Sequence, residues 1–175
     1  MLMTNKRLAT LAILIAINVV LSIITPIKLA NFKFTFEAFP ILVSGILLGP
    51  IDGLLVGLLG SGMYQILFSG YGLMITTPLW ILPHAISGLI VGLYSKRHNL
   101  RLNSTQILFI TILSALIVTM FNTFAIYVDA KLFGYYSFAY VFGSILFKIA
   151  AGIILSFMYT LIIPKLINRI KKIKG

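Results

Sequence analysis

Gln65, His84, Asn122 and Lys148 each interrupt a long run of apolar residues. Amide and ionisable side chains are expensive in such surroundings, and where they persist they face a cavity, a partner or one another. Their chemistry is that of recognition. An ammonium takes an anion or a strong acceptor, an amide both donates and accepts, and an imidazole does either according to its tautomer. Tyr64, Tyr71, Trp80 and Tyr127 accompany them, and such rings stack on flat ligands while offering a polar edge.

Residues that would perform covalent or hydrolytic chemistry are scarce. The sequence has no cysteine, three acidic residues (Glu37, Asp52 and Asp129) and two histidines, which removes thiol catalysis and thiolate metal sites. No G-x-x-x-x-G-K-[ST] loop offers a phosphate cradle and no H-E-x-x-H offers a metal site. The chain is therefore expected to be no enzyme and to need no cofactor or metal.

The elements that position the polar residues follow from composition. With 60% hydrophobic and 10% charged residues and a mean hydropathy of +1.09, the chain (1–175) is one domain whose solvent is lipid. Lipid leaves only helices or a closed barrel, and continuous apolar runs favour helices. A net charge of +11 in a soluble protein would suggest nucleic acid. Here the basic residues stand at the ends of apolar runs, where membrane topology accounts for them, so nucleic acid is not expected as a partner.

Clear spans cover 8–24, 73–94, 107–127 and 140–163, each near the ~20 residues that cross a bilayer. Lys6-Arg7 and the run after them imitate a signal peptide but read as a first span, since every later segment is also membrane-like. The stretch 38–68 is long for one helix and short for two, and Gly49-Pro50-Ile51-Asp52-Gly53 interrupts it. Two short helices meeting at Gly49-Pro50 give six spans. Lys6, Arg7, Lys96, Arg97, Arg101, Lys165, Arg169, Lys171, Lys172 and Lys174 then share the cytoplasmic side, as the positive-inside rule requires. Five spans would split them. The expected architecture is all-α, with six transmembrane helices, a short broken second helix and both termini cytoplasmic.

Segments 26–37, 69–72 and 128–139 then face outward. The first contains Asn31-Phe32-Lys33-Phe34-Thr35-Phe36-Glu37, whose alternation, if extended, sets three Phe against Lys33, Thr35 and Glu37 and suggests a lid. At 1.5 Å per residue Asn122 lies ~7 Å and Lys148 ~12 Å below the outer surface. Gln65 lies near that surface and His84 near the midplane. An outward-open cavity explains this clustering, with Asn31, Lys33, Phe36, Tyr64, Gln65, Tyr71, Trp80, His84, Asn122 and Lys148 as its candidate binding residues. Lys148 is expected to meet Glu37, Asp129 or a ligand anion.

Small residues recur at four-residue spacing in Ala12-x-x-x-Ala16, Gly45-x-x-x-Gly49, Gly53-x-x-x-Gly57 and Gly88-x-x-x-Gly92. Such faces let helices approach closely, and for the glycine pairs internal packing is the expected use.

Taken together these features resemble the substrate-binding S components of energy-coupling factor (ECF) vitamin transporters, over nearly the whole chain. Phe34-Thr35-Phe36-Glu37-Ala38-Phe39-Pro40, Gly49-Pro50-x-x-Gly53 and Ser69-Gly70-Tyr71-Gly72 are similar to the folate-type branch. The resemblance implies a multi-pass protein of a bacterial cell membrane that captures a flat, anionic, folate-like vitamin. It also implies partnership with a transmembrane coupling subunit and two ATPase subunits, docked through Ala12 and Ala16. In one respect the sequence departs from a folate site: no arginine stands in any span or outer segment, which leaves riboflavin or another flat vitamin as alternatives. A self-sufficient secondary transporter is the competing class.

Overall fold

The computed structural model describes residues 5–24, 27–29, 32–70 and 72–174, with the side chains of 27–29, 32–34, 168 and 170–174 outside that description. Helix α1 (Asn5–Ile24) leads to a hairpin of β1 (Ile27–Leu29) and β2 (Phe32–Phe34). After it come α2 (Ala38–Leu48), α3 (Pro50–Leu67), α4 (Thr77–Arg97), α5 (Ser104–Leu132), the single turn and a half of α6 (Phe138–Phe142), and α7 (Ile145–Lys174). Five helical stretches, α1, α3, α4, α5 and the run Phe138–Ile167, are long and apolar enough to cross a membrane. Helix α2 is the short broken second helix. Its 11 residues reach only ~16 Å, about half a hydrocarbon core.

The two strands pair antiparallel, Ile27 with Phe34 and Leu29 with Phe32, so the expected extended conformation at 31–37 holds only through Phe34. Thr35 to Glu37 turn inward instead. Phe36 packs against the buried cluster that includes Leu42, Val91 and Leu155. The break at Gly49 is sharp because its φ of 105° suits glycine, and its N–H bonds to the carbonyls of Ser44 and Gly45 at 3.2 Å. Pro50 then opens α3, where a missing N–H leaves nothing unsatisfied. Asn103 and Gln106 form a reciprocal capping box at the start of α5.

Contacts at one end of the bundle fix the topology. Arg7 of α1 pairs with Asp52 of α3, Nη2 to Oδ1 at 2.8 Å and Nε to Oδ2 at 2.9 Å. The hydroxyl of Ser95, near the end of α4, donates to the carbonyl of Ile46 in α2 at 2.7 Å. Residues 100–104, between α4 and α5, share a groove with Pro164 and Ile167 of α7. The start of α1, the α2–α3 break, the α4–α5 turn and the lower part of α7 therefore share one end, which is the basic end of the molecule. An even number of passes is built into these contacts.

Glycines set the helix spacing. A Cβ on Gly88 of α4 would collide with the carbonyl of Gly53 of α3, one on Gly57 with the carbonyl of His84, and one on Gly92 with Pro50. On α2, a Cβ at Gly45 would sit 3.0 Å from the Gly88 carbonyl. Internal packing is thus the use of Gly53, Gly57, Gly88 and Gly92 and of Gly45, whereas Gly49 has open space where a Cβ would stand and serves the break instead. Gly88→Ala is expected to cost about 1–3 kcal/mol, the usual scale of overpacking, seen as a lower unfolding midpoint in detergent. Gly62→Ala, whose Cβ would meet only Ile81 Cδ1 at 3.7 Å, should leave that midpoint unchanged or slightly raised.

Candidate functional site

A cavity of about 700 Å³ lies between α3 and α4 on one side and α5 and α7 on the other, with Thr35, Glu37 and the start of α2 at its back. No described residue of α1 lines it. Helical spacing explains the walls. On α5, Thr111, Ser114, Val118, Asn122, Ile126 and Asp129 recur every three or four residues, one face of the helix. On α7, Lys148, Gly152, Leu155 and Tyr159 do the same.

Six sequence candidates line the cavity: Tyr64 and Gln65 from α3, Trp80 and His84 from α4, Asn122 from α5 and Lys148 from α7. Phe36 does not, because the turn after β2 directs it into the core. Tyr127 also turns away, packing edge-on to Tyr136 at 5.6 Å between ring centres. Asn31 and Tyr71 lie outside the described residues; Lys33 belongs to β2, its side chain likewise outside them.

The carboxylates are the larger surprise. Glu37, one residue before α2, lies inside the bundle because α2 is so short. Its side chain accepts from the Ser22 hydroxyl at 2.8 Å, and Nε2 of His84 is 3.6 Å from its other oxygen. Asn18 of α1 donates to the Glu37 carbonyl at 2.6 Å, which ties the back of the site to α1. Asp129, expected in an outer loop, stands on α5 instead, since that helix runs on to Leu132. Its Oδ2 accepts from Trp80 Nε1 at 3.0 Å. Ser87 and Ser114 share a hydrogen bond at 2.5 Å that joins α4 to α5 below.

Ser61 Oγ, Asn122 Oδ1, Asp129 Oδ1, Lys148 Nζ and Tyr159 Oη line this cavity, are buried, and find no hydrogen-bond partner among the described residues. Buried polar atoms are satisfied as a rule, and each one left alone costs on the order of 1–3 kcal/mol. Five of them converging from α3, α5 and α7 describe a surface made to be completed by something else. The spacing of Thr111, Ser114 and Asn122 on α5 was the available sequence signal for that wall. No three histidine or acidic residues among those described come together to hold a metal.

The bundle of long apolar helices thus encloses a polar, aromatic-lined cavity. The model of the family described as the ECF transporter substrate-specific component matches residues 6–164, and the chain belongs to that family. Such components are substrate-binding transport subunits and not enzymes. Several proteins of Streptococcus pneumoniae strains, among them CGSP14 and P1031, are 36% identical over 96 residues, 53% of this chain, and are named only as UPF0397 proteins. The chain matches about half of their length, 50%. Among solved structures, the S-component for biotin from an ECF-type ABC transporter superposes with a TM-score of 0.71 over 95% of both chains at 15% identity. That likeness is one of fold.

Because the sequence has no cysteine, single replacements can be labelled cleanly. Asn122→Cys in detergent-solubilised protein should react with a water-soluble maleimide. Ser95→Cys, fully buried at the basic end, should not. Failure of Asn122→Cys to react, as for Ser95→Cys, would mean the cavity is closed to water.

Proposed function

We propose that this protein is the high-affinity vitamin-capture subunit of an ECF-type importer in a bacterial cell membrane, and that the cavity between α3, α4, α5 and α7 is its vitamin site. The five unsatisfied polar atoms converging there carry the reading. A volume of about 700 Å³ falls within the range of small-molecule sites, and Trp80, Tyr64 and Tyr140 supply faces for a flat ring. Folate is the preferred vitamin, on the folate-type phrases around Glu37, Gly49 and Gly70. Riboflavin is the alternative, and the biotin-binding fold neighbour adds a third candidate for the same panel. By the positive-inside rule the basic end faces the cytoplasm, so the cavity lies toward the outside.

The partners proposed are a transmembrane coupling subunit and two ATPases. Helix α1 suits the docking role: Leu11, Asn18, Val19 and Ser22 are its buried face, while Ala12 and Ala16 are exposed and lie away from the cavity. Replacing both with Trp should hold a partner helix off, leaving vitamin binding normal and abolishing ATP-driven uptake. If binding fails too, the pair packs within the bundle; if uptake survives, the docking assignment falls.

Mass spectrometry of small molecules that copurify with the protein, followed by titration with folic acid, riboflavin and biotin, tests the vitamin reading directly. Lys148→Met keeps length and removes charge, so affinity for the bound vitamin should fall by at least ~1.5 kcal/mol, the low end for a hydrogen bond to a charged group. Unchanged affinity would take Lys148 out of the site. Ion-driven uptake by vesicles holding this chain alone, without ATP, would favour the secondary-transporter reading instead.

A further inference from the structure

Asp129 and Lys148 face the same cavity and are not paired with each other. Of the three acidic residues, Asp52 is matched by Arg7 and Glu37 by Ser22 and His84. Among the described residues Asp129 has only the neutral indole N–H of Trp80 on Oδ2, and its Oδ1 is buried with no partner. The nearby Lys131 is turned away, its Nζ 4.1 Å from the centre of the Tyr136 ring. Lys148 Nζ is buried and equally alone. A carboxylate and an ammonium taken from water are each costly unless matched in charge and hydrogen bonding. Trp80 also fixes the direction in which Asp129 presents its second oxygen, so the group is oriented before any ligand arrives.

We propose that Asp129, oriented by Trp80, is a specificity-determining residue that accepts from an N–H donor edge of the ligand while Lys148 takes the ligand's anion, so that the site selects amphoteric molecules. The donor edge would be an amidine, a guanidine or a 2-amino nitrogen heterocycle. Such groups place two N–H donors side by side, the arrangement that pairs best with a carboxylate. A simple organic anion of the same size satisfies Lys148 and leaves Asp129 buried and unmatched, so it would bind more weakly than an amphoteric ligand. The inference rests on the cavity being the vitamin site and adds to it the chemical class that fits.

The test uses the full chain in detergent and flat probes that separate the two charges. Benzamidine carries an amidinium and no anion; benzoate carries the anion on the same ring and no N–H donor. Calorimetric titration at millimolar concentration should show benzamidine binding to the natural protein. Asp129→Asn should weaken that binding about tenfold or more, the scale of one charge-assisted hydrogen bond, and Lys148→Met, which removes a like charge from the same cavity, should not weaken it. Benzoate should show the reverse dependence. Asn keeps an acceptor for Trp80 Nε1, so the fold should survive, and an unchanged unfolding midpoint verifies this. A second measurement needs no variant: benzamidine should protect Asp129 from carbodiimide coupling, read by peptide mass spectrometry. Absence of benzamidine binding, equal binding by Asp129→Asn, or absence of protection would each overturn the assignment. Folic acid keeps the two readings apart. If it fails to bind while the probes discriminate, folate falls and Asp129 stands; if it binds Asp129→Asn undiminished, Asp129 falls and the vitamin site stands.

Discussion

The close contact of α3 with α4 determines where everything else can go. Gly53 against Gly88, Gly57 against His84 and Gly92 against Pro50 bring two backbones together with no side chains between them. Between transmembrane helices the hydrophobic effect gives little, and tight van der Waals contact of this kind supplies the association. Helix α2 joins the same seam through Gly45. Three helices are thereby drawn into one rigid slab that leaves no room for a ligand on its near side. The space in the bundle lies between this slab and the α5–α7 pair.

Polar residues are then distributed by whether the slab can match them. Asp52 is completely buried, yet it sits at the basic end and is held by two nitrogens of Arg7. Asn18 lies against Gly60, where a methyl group would strike its amide, and reaches the Glu37 carbonyl from there. Ser44 and Ser95 are closed by hydrogen bonds to carbonyls and Ser87 by one shared with Ser114. Around the cavity the pattern changes, and polar atoms are buried without partners. Among the described residues only Asn18 Oδ1 and Ser144 Oγ share that condition away from the cavity, so the concentration of such atoms at the cavity is meaningful.

Much of this arrangement was legible in the residues. Apolar run length and the distribution of lysine and arginine gave six helices and the break at Gly49-Pro50, because both follow from bilayer thickness and charge alone. Depth along the helices brought Gln65, His84, Asn122 and Lys148 to one region. What escaped was anything decided by a tertiary partner. Asp129 and Lys131 read as a loop because charges end apolar runs, but Trp80 and Tyr136 hold them, and α5 continues for five residues beyond its expected end at 127. Asp52 read as a breaker, since nothing local reveals that Arg7 is opposite. Phe36 read as part of a lid because alternation cannot say where a strand stops.

The chain contains one tryptophan, and it is Trp80, with its indole N–H on Asp129 inside the cavity. Indole emission responds to polarity and hydrogen bonding around the ring, and the tyrosines do not absorb at the red edge of its excitation band. All red-edge emission from this protein therefore originates at the one place where a ligand would sit. The molecule carries a built-in optical reporter, needing neither label nor engineered residue, and in lipid vesicles holding this protein alone occupancy can be followed in real time against a background free of any other indole.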